Sequence, residues 1–152
     1  MSRFWRTWTI GWCWAVGGFG VILAASAFEA TDGPTRWLFG LLNNRVAFDP
    51  DAHTQFSLAV LGAVTIGWSL TLLAAVQAAH QLGDQARSVW ILITSSVVVW
   101  YVIDTALSLA TGFGLNAIPN TLFLMAFLLP IIRGDVLKSP SRAATASPER
   151  VW

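Results

Sequence analysis

The sequence predicts an all-α integral membrane protein: a four-helix up-down bundle with a short amphipathic interfacial helix between spans 1 and 2. Three observations predict it. Hydrophobic residues make up 55% of the 152 and charged residues 11%, which leaves too little polar material to coat a water-soluble globule. The charges gather in short stretches between long uncharged ones, the pattern of a chain that crosses a bilayer repeatedly. A pair of glycines, Gly112 and Gly114, interrupts the last apolar run, which would otherwise form a rod too long for any bilayer.

The first span is placed at about residues 8–29. No formal charge falls between Arg6 and Glu29, and at ~1.5 Å per residue that length crosses a hydrocarbon core of ~30 Å. Arg3 and Arg6, an apolar run and then Ala25-Ser26-Ala27 also have the outline of a cleaved signal peptide. Against this, the run exceeds the about 7–15 apolar residues of such leaders. Trp5, Trp8, Trp12 and Trp14 read instead as an interfacial aromatic anchor. Asp32-Gly33-Pro34 then opens a short helix, since a cap followed by proline suits a helix start. Over Thr35 to Phe48, Trp37, Leu38, Leu41 and Leu42 share a side while Arg36, Asn43, Asn44 and Arg45 lie elsewhere, so an amphipathic helix on the outer surface is expected. Asp49-Pro50 repeats the signal and launches the second span, residues 53–80, early, at about Asp51. The third span, 88–110, carries one charge, Asp104, and the fourth, 115–132, carries none. Thr111-Gly112-Phe113-Gly114 between them forces an antiparallel hairpin. These spans make a transmembrane domain over 1–133. Residues 134–152, rich in Ser, Pro, Ala and charge, are expected to form a disordered cytoplasmic tail.

Orientation follows from the positive charges. Arg3 and Arg6, Arg87, and Arg133, Lys138, Arg142 and Arg150 fall on one side, seven of the nine in the chain. Arg36 and Arg45, on the other side, are accompanied by Glu29, Asp32, Asp49 and Asp51. Both termini should therefore face the cytoplasm.

Lipid gives helices no hydrophobic reason to associate, so small side chains that allow close approach matter. Ala59, Ala63, Gly67, Thr71, Ala75 and Ala79 form such a stripe on the second span, and Gly17, Gly18, Gly20 and Ala24 a comparable surface on the first. The expected use is helix packing within the chain, with a homo-oligomer interface as the alternative. Asp104 stands apart, because a carboxylate in mid-span costs about 2.5–3.5 kcal/mol on insertion scales and needs partners. Counting from the turn places Asn120 opposite it at similar depth; Ser108, Thr111 and Asn116 extend the polar stripe. The cluster reads either as a proton, cation or polar-ligand site, or as a structural pin between the two helices. Glu29, Asp32 and Arg36 are candidates for an outer vestibule. Asp49, Asp51 and His53 could ligate a metal, but helix capping explains both aspartates, so no metal site is assigned. Gln77 and His80 read as boundary residues at the cytoplasmic end of the second span.

Nucleotide-binding glycine motifs, zinc motifs and a nucleophile elbow are absent, and the single cysteine, Cys13, excludes paired-thiol chemistry within one chain. No cofactor, no nucleic-acid partner and no enzymatic activity are expected. Asp104-Thr105, Ser108, Gly112, Asn116 and Asn120, with polar or small residues at every fourth position, resemble a pattern in small four-span bacterial membrane proteins. The resemblance covers mainly spans 2 to 4 and implies the architecture and a bacterial inner membrane, but no catalytic residue. The functional expectation is a multi-pass, non-enzymatic binding or accessory subunit, packed in the bilayer against itself or a larger membrane complex. The alternative is a small transporter or channel-like protein using Asp104.

Overall fold

The computed structural model describes residues 1–43 and 48–138, and every regular element among them is helical. The helices are α1 (Arg3–Ala24), α2 (Gly33–Leu42), α3 (Ala52–Leu82), α4 (Arg87–Ala110) and α5 (Ala117–Arg133), with 3-10 turns at Ala25–Ala27, Gly83–Ala86 and Gly114–Asn116.

Helix starts follow their caps. Ser2 accepts the Trp5 amide on its Oγ at 3.5 Å, so α1 begins at Arg3, ahead of the residue 8 expected. Asp51 accepts the Thr54 amide at 2.8 Å and opens α3. Asp32 also precedes a helix but caps nothing with its side chain, which is held by Arg36 instead. Helix α2 is shorter than the expected reach to Phe48, because Asn43 takes an extended backbone and ends it. Asn44 and Arg45, assigned to that helix from sequence, lie outside the described residues. Pro119 sits in the first turn of α5, where its missing N–H costs no helical bond. Of the expected tail, residues 134–138 form a turn closed by a Lys138–Asp135 pair at 3.0 Å, and 139–152 lie outside the described residues.

Three consecutive helical stretches are long and apolar enough to cross a membrane, 3-10 turns included: Arg3–Ala27, Ala52–Ala110 and Gly114–Arg133. The middle stretch, 59 residues, is not one rod. At Gly83 the backbone takes φ +56, a left-handed conformation that favours glycine, and the chain reverses. Trp68 meets Trp100 at 6.0 Å and His80 meets Trp90 at 5.3 Å between ring centroids, so α4 runs back along α3. Gly112, at φ +86, turns the chain again before α5.

Helices α1 and α3 form the most extensive helix pair. A Cβ at Gly62 would collide with the backbone of Ala24 and Gly20, and one at Gly20 would lie 2.9 Å from the Gly62 carbonyl oxygen. Next to this crossing, Ser69 Oγ donates to the Cys13 carbonyl at 2.8 Å. The seam of α3 is therefore Leu58, Gly62, Ser69, Leu72, Val76 and Ala79. The small-residue stripe expected to pack within the chain lies largely off it: Ala63, Gly67 and Thr71 are exposed, Ala59 is half-buried, and nothing comes within 4 Å of a Cβ built on Gly67. The reason is the stripe's four-residue period, which drifts round a helix of 3.6 residues per turn, whereas the seam mixes three-, four- and seven-residue spacings.

The core gathers residues from all four long helices, among them Trp12, Val76, Trp90, Val97, Phe127 and Ile131. It lies toward the end where α1 begins and α3 finishes. The outward surfaces are apolar, with Val64, Leu92 and Leu122 each more than 60% exposed.

Candidate functional site between α4 and α5

Asp104 and Ser108 are one helical turn apart on α4, so they project to the same side. Asn116 ends the 3-10 turn after the reversal, and Asn120 stands in the first turns of α5, four residues on. The reversal brings the two faces together. Asp104 Oδ1 accepts from Ser108 Oγ at 3.2 Å, from Asn116 Nδ2 at 3.0 Å and from Asn120 Nδ2 at 2.9 Å. Asn116 Nδ2 also donates to Ser108 Oγ at 2.9 Å, and Asn120 Nδ2 lies 3.4 Å from Thr105 Oγ1. Ser108 and Asn120 are buried, while Asp104 and Asn116 are half-buried.

All three donors converge on one carboxylate oxygen. Oδ2 accepts no hydrogen bond from any described residue, and no described Lys, Arg or His pairs with Asp104. The cluster is therefore one acid held by neutral donors, with half of its acceptor capacity unused. Thr111, assigned to the stripe from sequence, turns away: its hydroxyl donates to the Leu107 carbonyl at 2.8 Å. One turn further from the reversal, Tyr101 and Thr121 exchange a hydrogen bond at 3.1 Å, which extends the polar seam between the two helices. Sequence reasoning missed this pair, although Tyr101 precedes Asp104 by three residues and Thr121 follows Asn120 directly.

Beside the site, α2 packs near the 3-10 turn that carries Asn116, through an edge contact of Phe39 on Phe113 at 6.1 Å. Of the three residues assigned to an outer vestibule, Asp32 and Arg36 form an ion pair at 2.7 Å. Asp32 is buried and Glu29 is exposed. The bond from Arg36 to Asp32 raises the guanidinium pKa, and the charges of Asp32, Asp49 and Glu29 act in the same direction. Arg36 also donates to the Phe48 carbonyl at 3.1 Å. These groups brace α2, and among the described residues no hydrogen bond or ion pair joins them to Asp104. Among the described residues no three His, Cys, Asp or Glu gather closely enough to hold a metal ion.

A second polar set joins α1 to α5. Trp8 Nε1 donates to the Ala126 carbonyl at 2.8 Å and Trp12 Nε1 to the Phe123 carbonyl at 3.0 Å. Pro130 lies inside α5 and has no N–H, so the carbonyl four residues before it, Ala126, lacks its helical partner. The Trp8 indole supplies the missing donor. Two of the four tryptophans read as an interfacial anchor are thus ties between helices, and Trp12 is buried outright. The signal was in the sequence: a proline in the last turn of an apolar helix implies an orphan carbonyl one turn earlier.

Comparison with protein families, with curated proteins and with solved structures finds no match for the chain.

Proposed function

We propose that the chain is a multi-pass membrane protein in which α1, α3, α4 and α5 form a four-span up-down bundle. In this reading α2 lies in the outer interface, both ends of the chain face the cytoplasm, and the host membrane is a bacterial inner membrane. Its role is non-enzymatic: it binds, as an accessory subunit packed against itself or a larger membrane complex. One observation carries the role. The exposed face of Ala63, Gly67 and Thr71 on α3 leaves room for a neighbouring helix backbone, while the chain's own close crossing uses Gly20 and Gly62. Purification in mild detergent with mass measurement tests it. A mass above the monomer, or a stoichiometric partner, lost in Gly67→Ile, is expected; a monomer without partner, unchanged by that substitution, would sink the reading.

A second reading is favoured by the unused Oδ2 of Asp104. A carboxylate oxygen in mid-span that meets no donor suits a proton, a cation or a polar ligand approaching from the α2 end. Asp104→Asn would then abolish ion or proton flux in proteoliposomes while leaving the fold intact. Flux equal to that of empty vesicles in the wild type rejects this reading.

A further inference from the structure

At the end of the molecule opposite α2, the start of α1, the end of α3, the Gly83–Ala86 turn, the start of α4 and the segment after α5 line an open cavity of about 520 Å³. That volume lies within the range of about 300–1,000 Å³ typical of small-ligand sites. Ala79 and Trp90, both almost fully buried, contribute apolar lining. Four charged side chains share the lining, and they are unequally satisfied. Lys138 and Asp135 neutralise each other at 3.0 Å. Arg6 and Asp84 also line the cavity, and neither has an ion-pair partner among the described residues. Among the described residues the Arg6 side chain has only a long bond of 3.5 Å to the His80 carbonyl, and the Asp84 carboxylate has no hydrogen bond. His80 is already engaged, its Nε2 lying 3.0 Å from Thr9 Oγ1 and its ring against Trp90.

One cavity thus offers, among the described residues, two unpaired cations, Arg6 and the Met1 ammonium, beside an unpaired anion, Asp84, the two side chains reaching solvent at its mouth, so the complementary ligand carries both signs. We infer that the cavity binds the headgroup of a zwitterionic phospholipid, with the phosphate against Arg6 and the ammonium against Asp84. The lipid source rests on the membrane placement proposed above, which puts this end at the cytoplasmic interface. Chain neighbours of the lining agree with it: Phe4, two residues before Arg6, is 61% exposed, and Leu82, two after His80, is 47% exposed, which gives acyl chains apolar surface.

Native mass spectrometry of the full chain in mild detergent, offered equal amounts of phosphatidylethanolamine and phosphatidylglycerol, tests the inference. Both lipids have the phosphate and only the first has the ammonium. The wild type should retain the ethanolamine lipid in about fivefold preference, and Asp84→Asn should bring the ratio near one with total retention kept. Arg6→Gln should lower retention of both lipids and Arg6→Lys should restore it, which separates lost charge from lost fold. Equal retention by the wild type, or a preference untouched by Asp84→Asn, overturns the proposal. Displacement of the lipid by soluble phosphoethanolamine would overturn its lipid half and reassign the cavity to a water-soluble zwitterion. A purified monomer without partner would reject the accessory-subunit reading and leave this preference unaffected, so the two failures are distinguishable.

Discussion

Single side chains settle two of the helix contacts. Asp104 accepts three donors on one oxygen, so Asp104→Ala leaves two amides and a hydroxyl without their acceptor. A loss of about 1–3 kcal/mol is expected, nearer the low end if the freed amides find other partners in the membrane. Asp104→Asn retains a carbonyl acceptor and should cost less; equal losses for the two variants in thermal unfolding in detergent would show that the oxygen does not hold the helices together. The Trp8–Ala126 bond permits a sharper test, because its acceptor is free on account of Pro130. Trp8→Phe should cost about 0.5–1.5 kcal/mol in the wild type. In a Pro130→Ala background a restored backbone N–H would satisfy the Ala126 carbonyl, and the same substitution should cost clearly less. An additive double-mutant cycle would break the link between proline and tryptophan.

Elements show which parts of the structure could be read ahead of it. The long helices were legible because uncharged length is a direct demand of the bilayer, and the reversal at Gly112 because glycine there permits a positive φ. Asp104, Asn116 and Asn120 could be placed near one another by counting residues from that turn. The packing seam could not, because periodicity marks every face of small residues alike and does not say which one meets a neighbour. Gly62 and Gly67 make the difference measurable. Gly62→Ala should strongly destabilise the α1–α3 pair, since its Cβ would meet the backbone of α1, whereas Gly67→Ala should leave the monomer as stable or more so. Comparable destabilisation by both would contradict the assigned seam. At the start of α3, hydrogen bonds from the Thr54 side chain and backbone hold the Asp51 carboxyl below its ordinary value of 3.8. A lowered folded value means that the cap contributes fully above the ordinary value and loses its contribution as pH falls through the folded one. The Thr54 amide resonance should therefore titrate below pH 3.8 in micelles, and Asp51→Asn should flatten the curve. A midpoint above 3.8 would reverse the sign.

At the scale of the whole molecule, charge is distributed unequally along the helix axes. Arg3, Arg6, Arg87, Arg133 and Lys138 belong to the end where α1 and α4 begin and α3 and α5 finish, against Asp84 and Asp135. At the other end Arg36 is the only described Lys or Arg and is accompanied by Glu29, Asp32, Asp49 and Asp51. Basic segments are retained on the cytoplasmic side during insertion, which is the physical ground for the proposed orientation. Cys13, the only native cysteine, is 1% exposed, so the chain is suited to labelling at introduced sites. Ala30 precedes α2, Gln85 lies in the turn between α3 and α4, and Leu115 lies in the turn before α5; all three are exposed. With a membrane-impermeant maleimide, Ala30→Cys and Leu115→Cys should react on cells whose outer membrane alone has been opened, and Gln85→Cys only after the inner membrane is permeabilised. Residue 115, compared with residue 30, separates the topologies. If Ala52–Ala110 crosses once as a single long helix, residues 30 and 115 label from opposite sides; if α3 and α4 each cross, they label from the same side. With the membrane placement proposed above, the fold-back marked by Trp68 against Trp100 predicts the second pattern. Its inverse, with Gln85→Cys alone reactive from outside, would keep the four crossings and reverse the orientation, removing the charge argument along with the cytoplasmic placement of the Arg6 cavity.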